Sequence, residues 1–261
     1  MQIDSTHTTI REFLGGSTQT YSIPEFQRIY SWGESQLEEL WEDILTSPSG
    51  EHFIGSIITY AGVENAHSIT DGQQRITSIA LLIAAIRDAF APLSEDSAAG
   101  LQKYLETTDD DNCTHFKINS QNSTQDTVRY FHDLLAVPDA GMTHFEQPNS
   151  LDATRISTEA KNLKAAKTFF AQKISEHLSS GSTADKIEAL RALRDRVLRL
   201  TLVSIELGTA ADAYTIFTTL NSRGMDLSAV DLIKSHILKL LSPDRRALGA
   251  ELLAGDYPEP R

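Results

Sequence analysis

The sequence predicts an α+β fold, and three observations carry that reading. Short stretches rich in β-branched and aromatic residues lie at 21–24, 53–60 and 67–70. A long apolar pattern with helical spacing follows directly, over 73–90. Most of the chain beyond His115 to Ile118 then repeats its apolar residues at the spacing of amphipathic helices, returning once to strand at 200–207.

Taken in order, a short lead-in precedes Tyr21-Ser22-Ile23-Pro24. Pro24 keeps Ile23 out of helical angles and has no N–H for a central ladder, so an edge strand or an extended entry into the core is expected. Over 35–45, Leu37, Leu40, Trp41, Ile44 and Leu45 fall on one side and four acids on the other, which predicts an amphipathic helix. The runs at 53–60 and 67–70 flank a turn-like segment and predict a β-hairpin. Asp71-Gly72 punctuates the chain before the helix at 73–90, whose apolar residues on most sides predict burial. Residues 94–112 are acidic and turn-rich and read as a solvated excursion or an insertion near a subdomain boundary. Helices are expected around Leu163 to Leu178, Ile187 to Val197, Ala213 to Leu220 and Ser228 to Leu241.

Composition bounds the function. The chain of 261 residues carries a net charge of −13, which excludes a protein that coats nucleic acid with its whole surface. The charge is unevenly placed: residues 1–150 hold 7 basic and 22 acidic groups, whereas 151–246 hold 15 and 11. A DNA contact would therefore use the later part or a local positive pocket. Cys113 is the only cysteine, so neither an internal disulfide nor a cysteine-based zinc site can form. With no run of about 18 apolar residues and no basic-then-apolar start, a cytoplasmic protein without membrane contact is expected.

Three clusters carry chemistry. The densest is Asp71-Gly72-Gln73-Gln74-Arg75, at the junction of a strand and a buried helix. Free N–H groups at a helix start favour an anion, Gly72 lets main chain approach closely, and Arg75 can fork onto phosphate oxygens. Asp71 could hold Mg²⁺, and the glutamines could orient water or read a base edge. The competing reading is structural, with Asp71 capping the helix and both glutamines solvated. The second cluster, residues 23–32, sets Phe26, Tyr30 and Trp32 among Gln27 and Arg28, which suits stacking on a base and contact with phosphate; here the alternative is aromatics in the core and Arg28 paired with an acid. The third, residues 217–234, offers Asn221 as a cap, Arg223 on an exposed turn, and Asp231 and Lys234 one helical turn apart. Lys161, Lys164 and Lys167 form a basic helical stripe, and Arg191 to Arg199 another positive run; each reads either as a solvated face or as a phosphate-contacting one.

The segments IPEFQRIYSW, HFIGSII, ITDGQQRITSI and FTTLNSRGMDLSAVDLIKS, in this order, resemble the signature set of the N-terminal domain of GmrSD-type modification-dependent restriction enzymes. The resemblance implies a ParB/sulfiredoxin-like core over residues 1–92, a helical subdomain over 93–200, returning elements over 201–245 that complete the core, and a tail over 246–261. It implies binding and hydrolysis of a nucleoside triphosphate, most simply GTP with Mg²⁺, in anti-phage defence. Residue by residue, it places Asp71, Gly72, Gln73, Gln74 and Arg75 in the nucleotide site and Gln27 and Arg28 in a companion motif; from their own chemistry and position, Asp71 is expected at the metal, and Asn221 and Arg223 beside the nucleotide. In SspE-like members, which sense phosphorothioate DNA, the companion region belongs to the modification-sensing part. That points to Phe26, Tyr30 and Trp32, with Lys161, Lys164 and Lys167, as DNA-sensing residues. Phe26 stands where the family usually has tyrosine, keeping the stacking face without the hydroxyl. The expected partners are modified DNA and an HNH-type nuclease, supplied by the full-length protein or by a separate chain. A non-hydrolysing modification sensor, or a domain that only binds a nuclease partner, is the competing function.

The eight histidines are scattered, with no local histidine-and-metal module of the HNH kind. This chain alone is therefore expected to leave modified plasmid intact in the presence of Mg²⁺ or Mn²⁺ and a nucleoside triphosphate. Nicked circles that disappear in a point variant of the chain would contradict that expectation.

Overall fold

The computed structural model describes residues 3–16, 18–47, 52–62, 66–137, 157–178 and 181–211. The helices expected between Ala213 and Leu241, and with them Asn221 and Arg223, lie outside the described residues. Within them the fold is α+β. Eight strands are β1 (Ile3–Thr9), β2 (Thr20–Ile23), β3 (Phe53–Ala61), β4 (Ala66–Asp71), β5 (Glu106–Thr108), β6 (Thr114–Phe116), β7 (Ile118–Ser120) and β8 (Thr201–Leu207). Seven helices are α1 (Ile10–Gly15), α2 (Glu34–Thr46), α3 (Gln73–Phe90), α4 (Glu95–Gln102), α5 (Gln125–Leu135), α6 (Thr158–His177) and α7 (Thr183–Arg199).

Six strands form a mixed sheet in the order β1-β8-β3-β4-β2-β7, and β5 and β6 make a separate small hairpin. The expected hairpin is present: β3 and β4 run antiparallel, with Ile58 opposite Asp71 and a register shift between Ile58 and Thr59. β2 is not an edge strand. It lies between β4 and β7, parallel to both. Pro24 falls just beyond its last residue, so the missing N–H is not needed by the ladder.

The lead-in is structured rather than loose. The β-branched residues of β1 pair along β8, and Thr9 and Glu12 then close a reciprocal cap on α1, which buries Ile10, Phe13 and Leu14. Hydrogen bonds from Thr9 and Thr8 hold the Glu12 carboxyl below its usual range. Residues 94–112 also depart from the expected solvated excursion: Ala98, Leu101, Tyr104 and Leu105 are buried in the main core. The acids of that segment occupy the exposed side of a short helix and the turn beyond it, so high charge masked a narrow apolar face. The strand expected at 115–118 is split at Lys117 into β6 and β7.

α3 is the axis of the fold. Fifteen of its residues are buried, because the sheet lies on one side while α4, α5, α6 and α7 pack around the rest. Adjacent residues of β3 serve opposite faces, as the pleat requires. Ile57 joins the main core, whereas Ile58 packs with Leu207, Tyr60 and Ile205 on the other face. No helix among the described residues is long and apolar enough to cross a membrane.

The far end of α3 holds a buried cation. Arg87, 1% exposed, donates to Gln102, to the carbonyls of Leu135 and Ala136, and to Asp88. Lys167 of α6 donates to the carbonyl of Leu134 at 2.6 Å and lies 2.8 Å from Asp88. Three carbonyls at the end of α5, which would otherwise be orphaned in the interior, are thus satisfied by side chains of α3 and α6. Replacing Arg87 by methionine keeps bulk but strands the Ala136 carbonyl and Gln102 Oε1, leaves the Leu135 carbonyl with Gln102 alone and leaves Asp88 with Lys167 alone; a loss of about 3 kcal/mol is expected from urea unfolding. A loss below about 1 kcal/mol would show that the network contributes only packing.

Candidate functional site

The site is built where β4 ends and α3 begins. β4 delivers Asp71 to the sheet end, and Gly72 then turns the chain with φ +86°, in the left-handed region that favours glycine. A Cβ at Gly72 would also run into the side chain of Ile57 and sit 2.9 Å from the carbonyl of Ser56. Glycine is therefore required twice, by its angle and by its closeness to β3.

Because Gly72 is the N-cap, α3 starts without a side-chain cap and without an acid in its first turn. The first intrahelical bond runs from Ile76 N–H to the Gly72 carbonyl, leaving the N–H groups of Gln73, Gln74 and Arg75 with no acceptor among the described residues. Asp71 does not serve as the cap. Its carboxylate makes no hydrogen bond or ion pair among the described residues, and its charge opposes the lowering that burial imposes on the Arg75 pKa.

Arg75 leaves the helix toward β3. Its Nη1 donates to the Ser56 carbonyl at 3.1 Å, its one hydrogen bond among the described residues. The guanidinium lies across Gly55, where a Cβ would meet Nη1, Cζ and Nη2 at 3.1, 3.3 and 3.4 Å. Gly55 has φ +92° and falls within an irregularity of the β3–β8 pairing. The bulge opens a flat floor under Arg75, and most of its donors stay unused.

Both glutamines point the other way, and neither is solvated: Gln73 and Gln74 are 5% and 6% exposed. Gln74 Oε1 accepts from the N–H groups of Ser31 and Trp32 at 2.8 and 3.2 Å, and its Nε2 donates to the Ile29 carbonyl at 3.0 Å. Gln73 Nε2 donates to the Arg28 carbonyl at 2.9 Å, while its Oε1 has no partner. Gln27 Nε2 reaches back to the Thr70 carbonyl at 2.6 Å. Side-chain amides thus fasten the segment from Gln27 to Trp32 to the β4–α3 junction.

Three residues from distant segments add to the fastening, and no sequence signal marked any of them: Asn162 of α6 donates to the Tyr30 carbonyl at 3.3 Å, and the other two are Asn122 and Glu159. Asn122, in the turn after β7, donates to the carbonyls of Gln27 and Arg28, each at 3.0 Å. Glu159 in the first turn of α6 accepts from Tyr30 N–H at 3.1 Å and from Ser123 at 2.9 Å. Gly55 and Ser56 were likewise passed over as site residues, although an isolated glycine inside a strand pattern is a bulge signal.

The expected aromatic wall is divided. Tyr30 is a core residue, 4% exposed, with its hydroxyl 2.7 Å from Ser78 Oγ; burial pushes its pKa up to about 12, against the lowering by that hydrogen bond. Trp32 packs half-buried against the main core, and Phe26 is half-buried. Arg28 is half-buried with no pairing of its guanidinium among the described residues. The lysine stripe is divided too: Lys161 and Lys164 are exposed, but Lys167 is held inside by Asp88 and Leu134. In the later basic run, Arg196 donates to the carbonyls of Ile44, Leu45 and Ser47 at the end of α2. No group of three or more His, Cys, Asp or Glu side chains with metal-binding geometry occurs among the described residues.

Over residues 10–238 the chain matches the family model described as GmrSD restriction endonuclease, N-terminal domain. Compared with the curated proteins, the chain has no match.

Truncating Gln74 to alanine leaves the N–H groups of Ser31 and Trp32 and the carbonyl of Ile29 without their partner. A stability loss of about 2–3 kcal/mol in urea unfolding is expected, in line with stranding several partly buried polar groups. An unchanged midpoint would mean that water replaces the amide without cost.

Proposed function

The chain belongs to the family of GmrSD restriction endonuclease N-terminal domains, and from that membership we propose that it binds and hydrolyses a nucleoside triphosphate to regulate a restriction system. Membership itself places the chain in a restriction system acting on DNA, with the nuclease domain elsewhere in full-length proteins. The nucleotide reading rests on one observation above all. The start of α3 presents three N–H groups without acceptors among the described residues, beside an arginine whose guanidinium makes one hydrogen bond there.

Phosphate oxygens would accept from the N–H groups of Gln73, Gln74 and Arg75 and from the Arg75 guanidinium, an arrangement that favours negative charge as it develops. Arg28, whose carbonyl accepts from Gln73 of that helix and from Asn122 in the turn after β7, is the second cation within the motif set. A Mg²⁺ ion fits the donors present: the Asp71 carboxylate makes no hydrogen bond or ion pair among the described residues, and Mg²⁺ characteristically takes one or two carboxylates together with substrate phosphates and water. Bound there, the ion would neutralise phosphate charge. Gln74 Oε1 accepts two main-chain N–H groups and its Nε2 donates to the Ile29 carbonyl, so its part is to hold the companion segment in place. GTP is the substrate favoured by the family resemblance, and sensing of phosphorothioate or otherwise modified DNA is the regulatory input proposed for the companion segment with Phe26 and Trp32.

A second reading, a modification sensor that does not hydrolyse nucleotide, draws support from the same amides: with Gln74 wholly engaged, the motif has fewer groups to orient an attacking water.

Phosphate release from each of the four nucleoside triphosphates with Mg²⁺, with and without modified DNA, separates these readings. Arg75→Ala is expected to lower turnover by about 100-fold or more, with Arg75→Lys restoring little because an ammonium cannot fork. Full turnover in a folded Arg75→Ala protein would remove Arg75 from the site.

A further inference from the structure

β3 brings an irregular stretch, Gly55 and Ser56, directly against Arg75. Phe53 stands opposite Thr201 and Ser56 opposite Val203, so β3 takes three steps where β8 takes two. The strand carries one residue more than its partner, and Gly55 takes up the extra length with φ +92°.

The position of the guanidinium over this bulge follows from three distances. A Cβ on Gly55 would lie 3.1 Å from Nη1, 3.3 Å from Cζ and 3.4 Å from Nη2 of Arg75. Approach within the guanidinium plane, from the edge between the two terminal nitrogens, would leave Cζ the farthest of the three. Cζ is not the farthest, and the distances are nearly equal, so the point lies over the face of the planar group. The guanidinium therefore rests flat on the Gly55 main chain. Its Nη1 edge is fixed separately, by the Ser56 carbonyl at 3.1 Å, and that same carbonyl lies 2.9 Å from where a Cβ on Gly72 would be. One face and one edge of Arg75 are thus held by β3, while Nε and Nη2 make no hydrogen bond among the described residues. A methyl carbon in place of the Gly55 hydrogen needs about 3.5 Å or more from such atoms, so it would lift the guanidinium by several tenths of an ångström.

We propose that Gly55 is a positioning residue for the anion site: the bulge in β3 is a floor without a side chain that holds the Arg75 guanidinium flat before a phosphoryl group arrives and keeps it there once the group is bound. An arginine fixed in this way has little freedom left to lose on binding, and its fork needs no rearrangement as charge develops on the phosphoryl oxygens. The competing role for Gly55 is the angle alone, since φ +92° favours glycine whatever lies above it. The bearing on turnover rests on the function proposed above; the floor itself does not.

The direct test uses the unaltered chain. Nuclear Overhauser contacts between the Gly55 Hα protons and the Hδ and Hε protons of Arg75 are expected in the free chain and again with GTP and Mg²⁺. Their absence from the free chain, or their loss as GTP binds, would overturn the proposal. This measurement needs no variant, and so decides even where Gly55→Ala fails to fold. GTP that moves no amide at the start of α3 would count against the nucleotide reading alone.

A second test separates the floor from the angle. Gly55→Ala is expected to lower the kcat for GTP about 10-fold in the chain with Arg75, because a misplacement of about 1 Å can cost 100-fold. In the Arg75→Ala chain, where no guanidinium is left to lift, the same change is expected to leave the residual kcat per folded molecule unaltered. Equal fold-losses in both backgrounds would assign Gly55 to backbone angle alone and overturn its positioning role.

Discussion

The main chain from Gln27 to Trp32 enters a partly buried position without regular secondary structure of its own, so its N–H and carbonyl groups need partners from outside. Side-chain amides supply them. Gln73 and Gln74 act from α3, Asn122 from the turn after β7, and Gln27 returns the tie to β4. The geometry of the candidate site depends on this set of bonds, because it ties the Arg28 main chain directly to the first turn of α3. It also explains why two adjacent glutamines stand in the first turn of a buried helix: an amide both donates and accepts, and can therefore satisfy a neighbouring peptide in either sense.

The same bonds explain why the helical second half is more than an appendage. α6 grips the companion segment through Glu159 at its first turn, and through Lys167 and Asp88 it helps close the end of α5 against the far end of α3. α3 is thus held at both ends by polar contacts and along its length by apolar ones. A helix with so few exposed residues depends on its neighbours more than on intrinsic propensity. Its first turn is buried with the rest, yet the N–H groups of Gln73, Gln74 and Arg75 have no acceptor among the described residues.

Much of the fold was legible because its signals are local. The apolar spacing of Leu37, Leu40, Trp41 and Ile44 specifies α2, the two β-branched runs specify the β3–β4 hairpin, and the long apolar pattern after Gly72 specifies a buried α3. The elements that escaped are those whose signals are diluted or non-local. The threonines of β1 become a strand only by pairing with β8, nearly two hundred residues away, and the buried face of α4 is hidden among acids. At the site, the motif from Asp71 to Arg75 was visible, but the direction of each side chain was not. Period alone does not reveal that Arg75 faces Gly55 while Gln73 and Gln74 face the companion segment. Nor does it reveal that Lys167 turns inward to an acid while Lys161 and Lys164 stay exposed.

The central claim is that the N–H groups of Gln73, Gln74 and Arg75 are the seat of a phosphate group. Titrating the ¹⁵N-labelled chain with a nucleoside triphosphate and Mg²⁺ while following the amide resonances tests it most directly. The account predicts saturable shifts of those three amides and of Gly72, in step with the Arg75 side-chain resonance. Binding that leaves these amides unmoved, or moves only amides elsewhere in the chain, would contradict it.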